Sequence, residues 1–305
     1  MTLPTTPRMS RGSWGLLLLL SVIWGGSFLF MAIAAPHLPA MTVVLARVAI
    51  AAPLLWAAAA LTRMTAAPTR ARVAAWAVMG FLNNALPISL IVWAQHFIPS
   101  GLSAIVQAAT PLATALLAHV LTEDERITPA KAAGILIGIA GVAVLSGAGF
   151  GATRDELTGI GLMLAVCVLY GLANVWGRRF RRLGVAPYAA GAGQTGAAAL
   201  MLLPLVLVFD RPWTLPVPPA SVWFALAALG VVCTALAYAL YFRILSQAGA
   251  TNVALVTLLV PASAVVLGAV VLGEVLLPRH GIGMLLITAA LILMDGRLTG
   301  RIRAR

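Results

Sequence analysis

Apolar runs of about twenty residues, the length a spanning helix needs, follow one another along almost the whole chain. Only short polar or basic breaks separate them. The chain has 305 residues, 62% of them hydrophobic and 9% charged. Ordinary soluble domains carry roughly 25% charged residues. Folding in water would leave large apolar patches exposed, which soluble monomers rarely tolerate; burial in lipid removes that conflict. Backbone polar groups must then be satisfied inside each span, so the runs are read as helices. Transmembrane strands would be roughly 10 residues long and alternate in polarity, and these segments do neither.

The reading places spans near 14–35, 40–61, 73–95, 99–121, 129–149, 157–177, 187–209, 220–242, 248–273 and 278–295. That is an all-α polytopic membrane protein of ten helices, with no room for a separate soluble catalytic domain. The first run has the outline of a cleavable leader, with Arg8 and Arg11 before it and Ala32-Ile33-Ala34 near its end. Its length suits a span, however, and its Trp24-Gly25 has a counterpart in Tyr170-Gly171. It is therefore expected to be retained.

A formal net charge of +12 raises the question of nucleic acid, but the positions of the charges give a better account. With the N-terminus inside and the helices alternating, one side receives Arg8, Arg11, Arg63, Arg70, Arg72, Arg126, Lys131, Arg178, Arg179, Arg181, Arg182, Arg243, Arg297, Arg301, Arg303 and Arg305. The other side receives Arg154, Arg211 and Arg279. This is a positive-inside bias with both termini cytoplasmic. The last four arginines read as a topology anchor on anionic lipid.

The chain also repeats itself. Pro111 and Pro261 lie 150 residues apart, and thirteen residues after each comes an acid, Asp124 or Glu274. Trp24-Gly25 and Tyr170-Gly171 are 146 apart. Each repeat holds five helices, an odd number, so the second copy enters the membrane from the opposite side. Such inverted repeats are common in secondary transporters. The expected organisation is a cytoplasmic segment 1–13, a first repeat 14–149, a second, inverted repeat 150–295 and a basic tail 296–305.

On these residues the chain resembles the drug/metabolite transporter superfamily, in its ten-helix EamA-type branch. The resemblance is carried by Trp24-Gly25-Gly26-Ser27-Phe28, Leu45-Ala46-Arg47, Thr110-Pro111, Val260-Pro261 and Gly273-Glu274. The first repeat departs from it, with Glu123-Asp124-Glu125 where the family usually has Gly-Glu. The resemblance covers about Trp14 to Asp295. It implies an exporter of small metabolites such as amino acids, purine-like compounds or drugs, in the bacterial inner membrane, without choosing among them; amino acids or similar zwitterionic or aromatic compounds are the first expectation.

No catalytic constellation is found. His37, His96, His119 and His280 sit near helix ends without metal-ligand spacing. Cys167 and Cys233 fall in apolar segments and read as packing residues. Gly191-Ala192-Gly193-Gln194-Thr195-Gly196 matches a dinucleotide fingerprint literally, but that fingerprint needs a preceding strand. Inside an apolar helix, small residues for close packing are the better reading, as for Gly134 and Gly138. Neither metal nor cofactor is expected. A membrane-embedded lipid-modifying enzyme would need clustered acids, histidines or a nucleophile at one membrane face, and no such cluster is evident. The partners expected are a small-molecule substrate and the bilayer, with the chain a monomer or weak homo-oligomer.

Polar residues at mid-depth outline a candidate substrate cavity. Ser103, Gln107, Thr110 and Thr114 share one face of helix 4, where Pro111 interrupts the backbone ladder. Helix 3 offers Asn83 and Asn84, helix 6 Tyr170 and Asn174, and helix 8 Thr234, Tyr238 and Tyr241. Trp24, Ser27 and Thr257 complete the set. Pro111 and Pro261 are expected to distort their helices. Arg47, the only basic residue well inside a span, is either a counter-charge for a substrate carboxylate or a snorkelling residue that orients helix 2. No acid lies in the middle of a span, which favours an uncoupled facilitator, with a proton-coupled antiporter as the alternative.

Overall fold

The computed structural model describes residues 10–123, 125–147, 152–253 and 255–294. Arg8, Asp124, Asp295, the boundary between the repeats and the basic tail lie outside the described residues. Among the described residues every regular element is helical.

Eight helices are long and apolar enough to cross a bilayer. They are α1 (Arg11–Ala34), α2 (Ala40–Leu61), α3 (Arg70–Ala94), α4 (Ser100–Leu121), α5 (Pro129–Ser146), α6 (Arg154–Arg182), α7 (Pro187–Asp210) and α8 (Ala220–Ala248). Two shorter apolar helices of 17 residues follow, α9 (Val256–Leu272) and α10 (Pro278–Met294). At 1.5 Å per residue these reach about 25 Å, near the lower limit for a span. The ends are set locally. Thr69, Thr128 and Thr153 each accept the backbone N–H three residues on and so cap α3, α5 and α6. Gly147 and Gly273 take left-handed φ of 59° and 66° to close α5 and α9. The helix α6 runs past the expected 177 to Arg182, and its basic last turn suits the negative end of the helix dipole.

The contacts show the duplication directly. Under a five-helix shift, α2 packs on α7 and α5 packs on α10, each pair mapping onto itself. The α1–α9 contact has its counterpart in α6–α4, and α3–α7 in α8–α2. The repeated aromatic-glycine pair marks the first of these crossings. A Cβ on Gly25 would run into Ser263 of α9. On Gly171 it would lie 2.8 Å from Leu117 and 3.1 Å from the Thr114 nitrogen of α4. Only glycine lets the two backbones approach this closely.

Four helices depart from regular α-geometry. The backbone of α4 breaks at Ala108-Ala109, just before Pro111, whose missing N–H makes it harmless as the second residue of the new segment. The carbonyls exposed by the break are partnered: Thr110 Oγ1 donates to the Gln107 oxygen at 2.7 Å, and Cys167 Sγ to the Val106 oxygen at 3.3 Å. Single π-helical stretches occur at Phe81–Ala85 in α3, Val206–Asp210 in α7 and Ala228–Leu236 in α8. The distortion expected at Pro261 falls elsewhere. Leu255, just before α9, is a turn residue, and α9 runs unbroken through Pro261. Pro261 lies so near the start of α9 that its absent N–H removes only one early rung, to Thr257.

The acid after α9 has a structural partner. Glu274 accepts the N–H of Ser100 at 2.7 Å and of Gly101 at 3.0 Å, capping the N-terminus of α4 with a carboxylate. The outer surface is apolar: Val120, Leu136, Leu200, Phe209, Val270 and Leu285 are all exposed, as side chains facing lipid should be.

Candidate functional site

A cavity of about 580 Å³ lies in the middle of the bundle, lined from eight helices. Its lining draws nothing from α5 or α10, which pack on one another at the periphery through Gly134, Gly141 and Gly283. Pro111 and the α4 break bring Gln107 and Thr110 to one wall. The π-helical stretch in α3 brings Asn83 and Asn84 onto the lining, and that in α8 brings Cys233 and Thr234. Irregular backbone at membrane depth is tolerated where it lines a cavity, and π-turns gather at functional sites.

Arg47 turns inward. Its Nε donates to Thr234 Oγ1 at 2.8 Å and its Nη1 to Ser27 Oγ at 2.9 Å. Thr234 in turn donates to the Leu229 carbonyl at 2.8 Å. The guanidinium is thus held by α1 and α8 at mid-depth instead of snorkelling along α2. Across the cavity, Asn83 Nδ2 donates to Gln194 Oε1 at 3.1 Å, and Gln194 Nε2 donates to the Tyr238 hydroxyl at 2.9 Å. Two polar atoms on the lining, Asn84 Nδ2 and Gln107 Oε1, are buried with no protein partner. Aromatic rings supply the apolar wall: Trp24 packs on Tyr241 with centroids 5.8 Å apart, and Phe242 meets Tyr238 at a tilt and Tyr241 edge-on.

Most of the residues marked from the sequence lie on this lining: Trp24, Ser27, Arg47, Asn83, Gln107, Thr110, Tyr170, Asn174, Tyr238 and Thr257, with Pro111 and Pro261. Ser103 does not. It is fully buried, and its hydroxyl donates to the Pro99 carbonyl at 3.1 Å. The break at Ala108-Ala109 also rotates Thr114 off the stripe, to accept from Asn174 Nδ2 at 3.1 Å. Gln194 was not foreseen as a wall residue. It stood inside the glycine-rich match, where only its being the one amide among small residues could have drawn notice. Gly193 beside it fulfils the packing expectation, since a Cβ there would strike the Trp76 ring.

The walls differ from end to end. Toward the turn between α1 and α2, the lining residues Phe28, Met31, Ile88 and Ile91 are buried. Toward the connection Leu183–Ala186, Asn174 and Thr257 are exposed. The cavity therefore opens toward the latter end. Among the described residues no group of three or more His, Cys, Asp or Glu is placed to hold a metal. The histidines stay at helix ends: His119 Nδ1 accepts from the Ile127 N–H, and His280 contacts Glu156.

Comparison with known proteins follows this geometry. A probable terminal-alkyne amino-acid exporter of Streptantibioticus cattleyicolor is 29% identical over 70% of this chain and 70% of its own. The aromatic amino acid exporter YddG of Ancylobacter novellus is 34% identical over 44% of this chain and 45% of its own. A crystal structure of another protein, 24% identical, shares the fold with a TM-score of 0.64 over 93% of this chain and 98% of that one. The family model described as EamA-like transporter family matches twice, over residues 13–147 and 157–294, one match per five-helix repeat. With its inverted repeats and central cavity, the chain belongs to the EamA-like transporter family.

Proposed function

We propose that the chain is a carrier of the bacterial inner membrane that exports small amphipathic metabolites, amino acids and related compounds first among them. The observation that supports this most is the cavity itself. Rings on one wall and amides, hydroxyls and a guanidinium on the others suit a cargo with one apolar and one polar end. The names of the two exporters that the chain resembles point the same way.

The mechanism is alternating access. Two five-helix repeats of opposite orientation pack through α2–α7 and α5–α10, so rocking about these contacts exchanges one opening for the other. With the orientation favoured by the charge tally, the exposed end is cytoplasmic and the conformer is inward-open. Outer closure then rests on Phe28, Met31, Ile88 and Ile91. Among the described residues the lining includes no carboxylate, and on this reading the cycle, with no buried acid to carry a proton, runs uncoupled from protons.

Reconstitution into proteoliposomes tests this. Labelled amino acids and nucleobases, offered with and without a pH gradient, should exchange in counterflow at rates indifferent to that gradient. Uphill accumulation that follows the proton gradient would replace the facilitator with an antiporter. Silence across the whole panel would remove the carrier reading.

A further inference from the structure

We infer, on the carrier reading above and resting on it, that the favoured cargo is a monoanionic carboxylate with an apolar body, and that the membrane potential drives its export. Among the described residues, Arg47 is the only charged side chain on the cavity lining. A guanidinium is a permanent cation in proteins. Its hydrogen bonds go to neutral atoms, the hydroxyls of Ser27 and Thr234 and, weakly, Met31 Sδ at 3.9 Å, and none of them is to an acid among the described residues.

No described acid comes to meet Arg47. Glu125 pairs with Arg178 and Glu156 with Arg279, Asp210 accepts from Thr42, and Glu274 caps α4. A cation at this depth without a counter-ion is costly, and a cargo carboxylate supplies one. Asn84 adds a second donor. It is 3% exposed, lines the same cavity, and its Nδ2 has no protein partner.

The lining offers an ammonium group much less. Among the described lining side chains, the buried acceptor without a partner is the neutral Gln107 Oε1, which suits an amide N–H or a hydroxyl. A monoanion neutralises the site, whereas a zwitterion leaves it with the charge of Arg47. The energetics of export follow from this. An anion leaving a negative interior moves down the potential at about 2.3 kcal/mol per 100 mV, a ratio of about fifty-fold, and needs no proton relay.

The test uses the full chain in proteoliposomes with a potassium diffusion potential and no pH gradient. The two labelled probes share one ring and differ in charge: N-acetyl-phenylalanine, a monoanion, and phenylalanine, a zwitterion. N-acetyl-phenylalanine should accumulate toward the positive compartment, up to about fifty-fold at 100 mV, above protein-free vesicles. It should also outcompete phenylalanine in counterflow by tenfold or more, and Arg47→Gln should erase that preference while Arg47→Lys keeps part of it. Should Arg47→Gln fail to fold, the charge preference of the unmodified chain still decides. Phenylalanine carried as well as its acetylated form, or anion flux indifferent to the potential, overturns the inference and leaves the carrier standing. No flux of either probe or of the wider panel removes both.

Discussion

Single residues matter here through what a small change of volume or polarity would meet. Gly193 and Gly161 make a matched pair. A Cβ on Gly193 would strike the Trp76 ring, whereas on Gly161 it would meet nothing within 4 Å. Gly193→Ala should therefore destabilise the bundle by about 1–3 kcal/mol, the usual penalty for overpacking. Gly161→Ala should be neutral or stabilising by up to about 1 kcal/mol, because alanine is the better helix former. Thermal unfolding in detergent, followed by size-exclusion, separates the two; equal melting of both variants would contradict the packing described. Tyr238→Phe tests the amide network. Gln194 is 5% exposed and its Nε2 donates to the Tyr238 hydroxyl, so the substitution leaves a buried donor unmet. A loss of about 1–3 kcal/mol is expected, with weaker cargo affinity in counterflow.

At the scale of elements, the end of α9 holds the start of α4. Glu274 accepts two backbone N–H groups there, and Gly268 leaves room for its carboxylate, which a Cβ at that position would strike. Glu274→Ala and Gly268→Ala should therefore share one phenotype. Amide exchange at Ser100 and Gly101 should quicken, with a stability loss of about 1.5–3 kcal/mol for Glu274→Ala, as for hydrogen bonds to a charged group. Protection that survives both substitutions would show that the cap is dispensable. The broken α4 is the other decisive element. Its carbonyls are met by Thr110 and Cys167, which gives a cysteine read as packing a second, specific contact.

For the whole molecule, orientation is the outstanding prediction. Reporter fusions after about residue 36 and about residue 210 should report outside, and after about residue 66 inside, as the positive-inside bias requires. The reverse pattern would turn the open end of the cavity outward and reassign the conformer. Ion pairs staple both faces of the bundle: Glu125 with Arg178 and Lys131 at one end, and Glu156 with Arg279 at 2.6 Å at the other. Of these pairs Glu125–Arg178 joins the two repeats, so it bears on the rocking motion as well as on stability.

The linear order of residues was enough to determine helix number, duplication and most of the polar wall. Lipid demands long apolar helices, an odd repeat forces inversion, and mid-depth polar residues such as Asn83, Gln107 and Tyr238 have few reasons to be there. It was not enough for Ser103, whose place on the stripe assumed a straight α4. A two-residue break turns the face, and periodicity cannot register a break in advance. Nor could it show that Arg47 reaches Ser27 and Thr234 in place of the interface, that Gln194 faces the cavity, or that α9 runs unbroken through Pro261. These depend on which neighbours satisfy a freed carbonyl or a buried charge, and those neighbours are set only when distant helices pack.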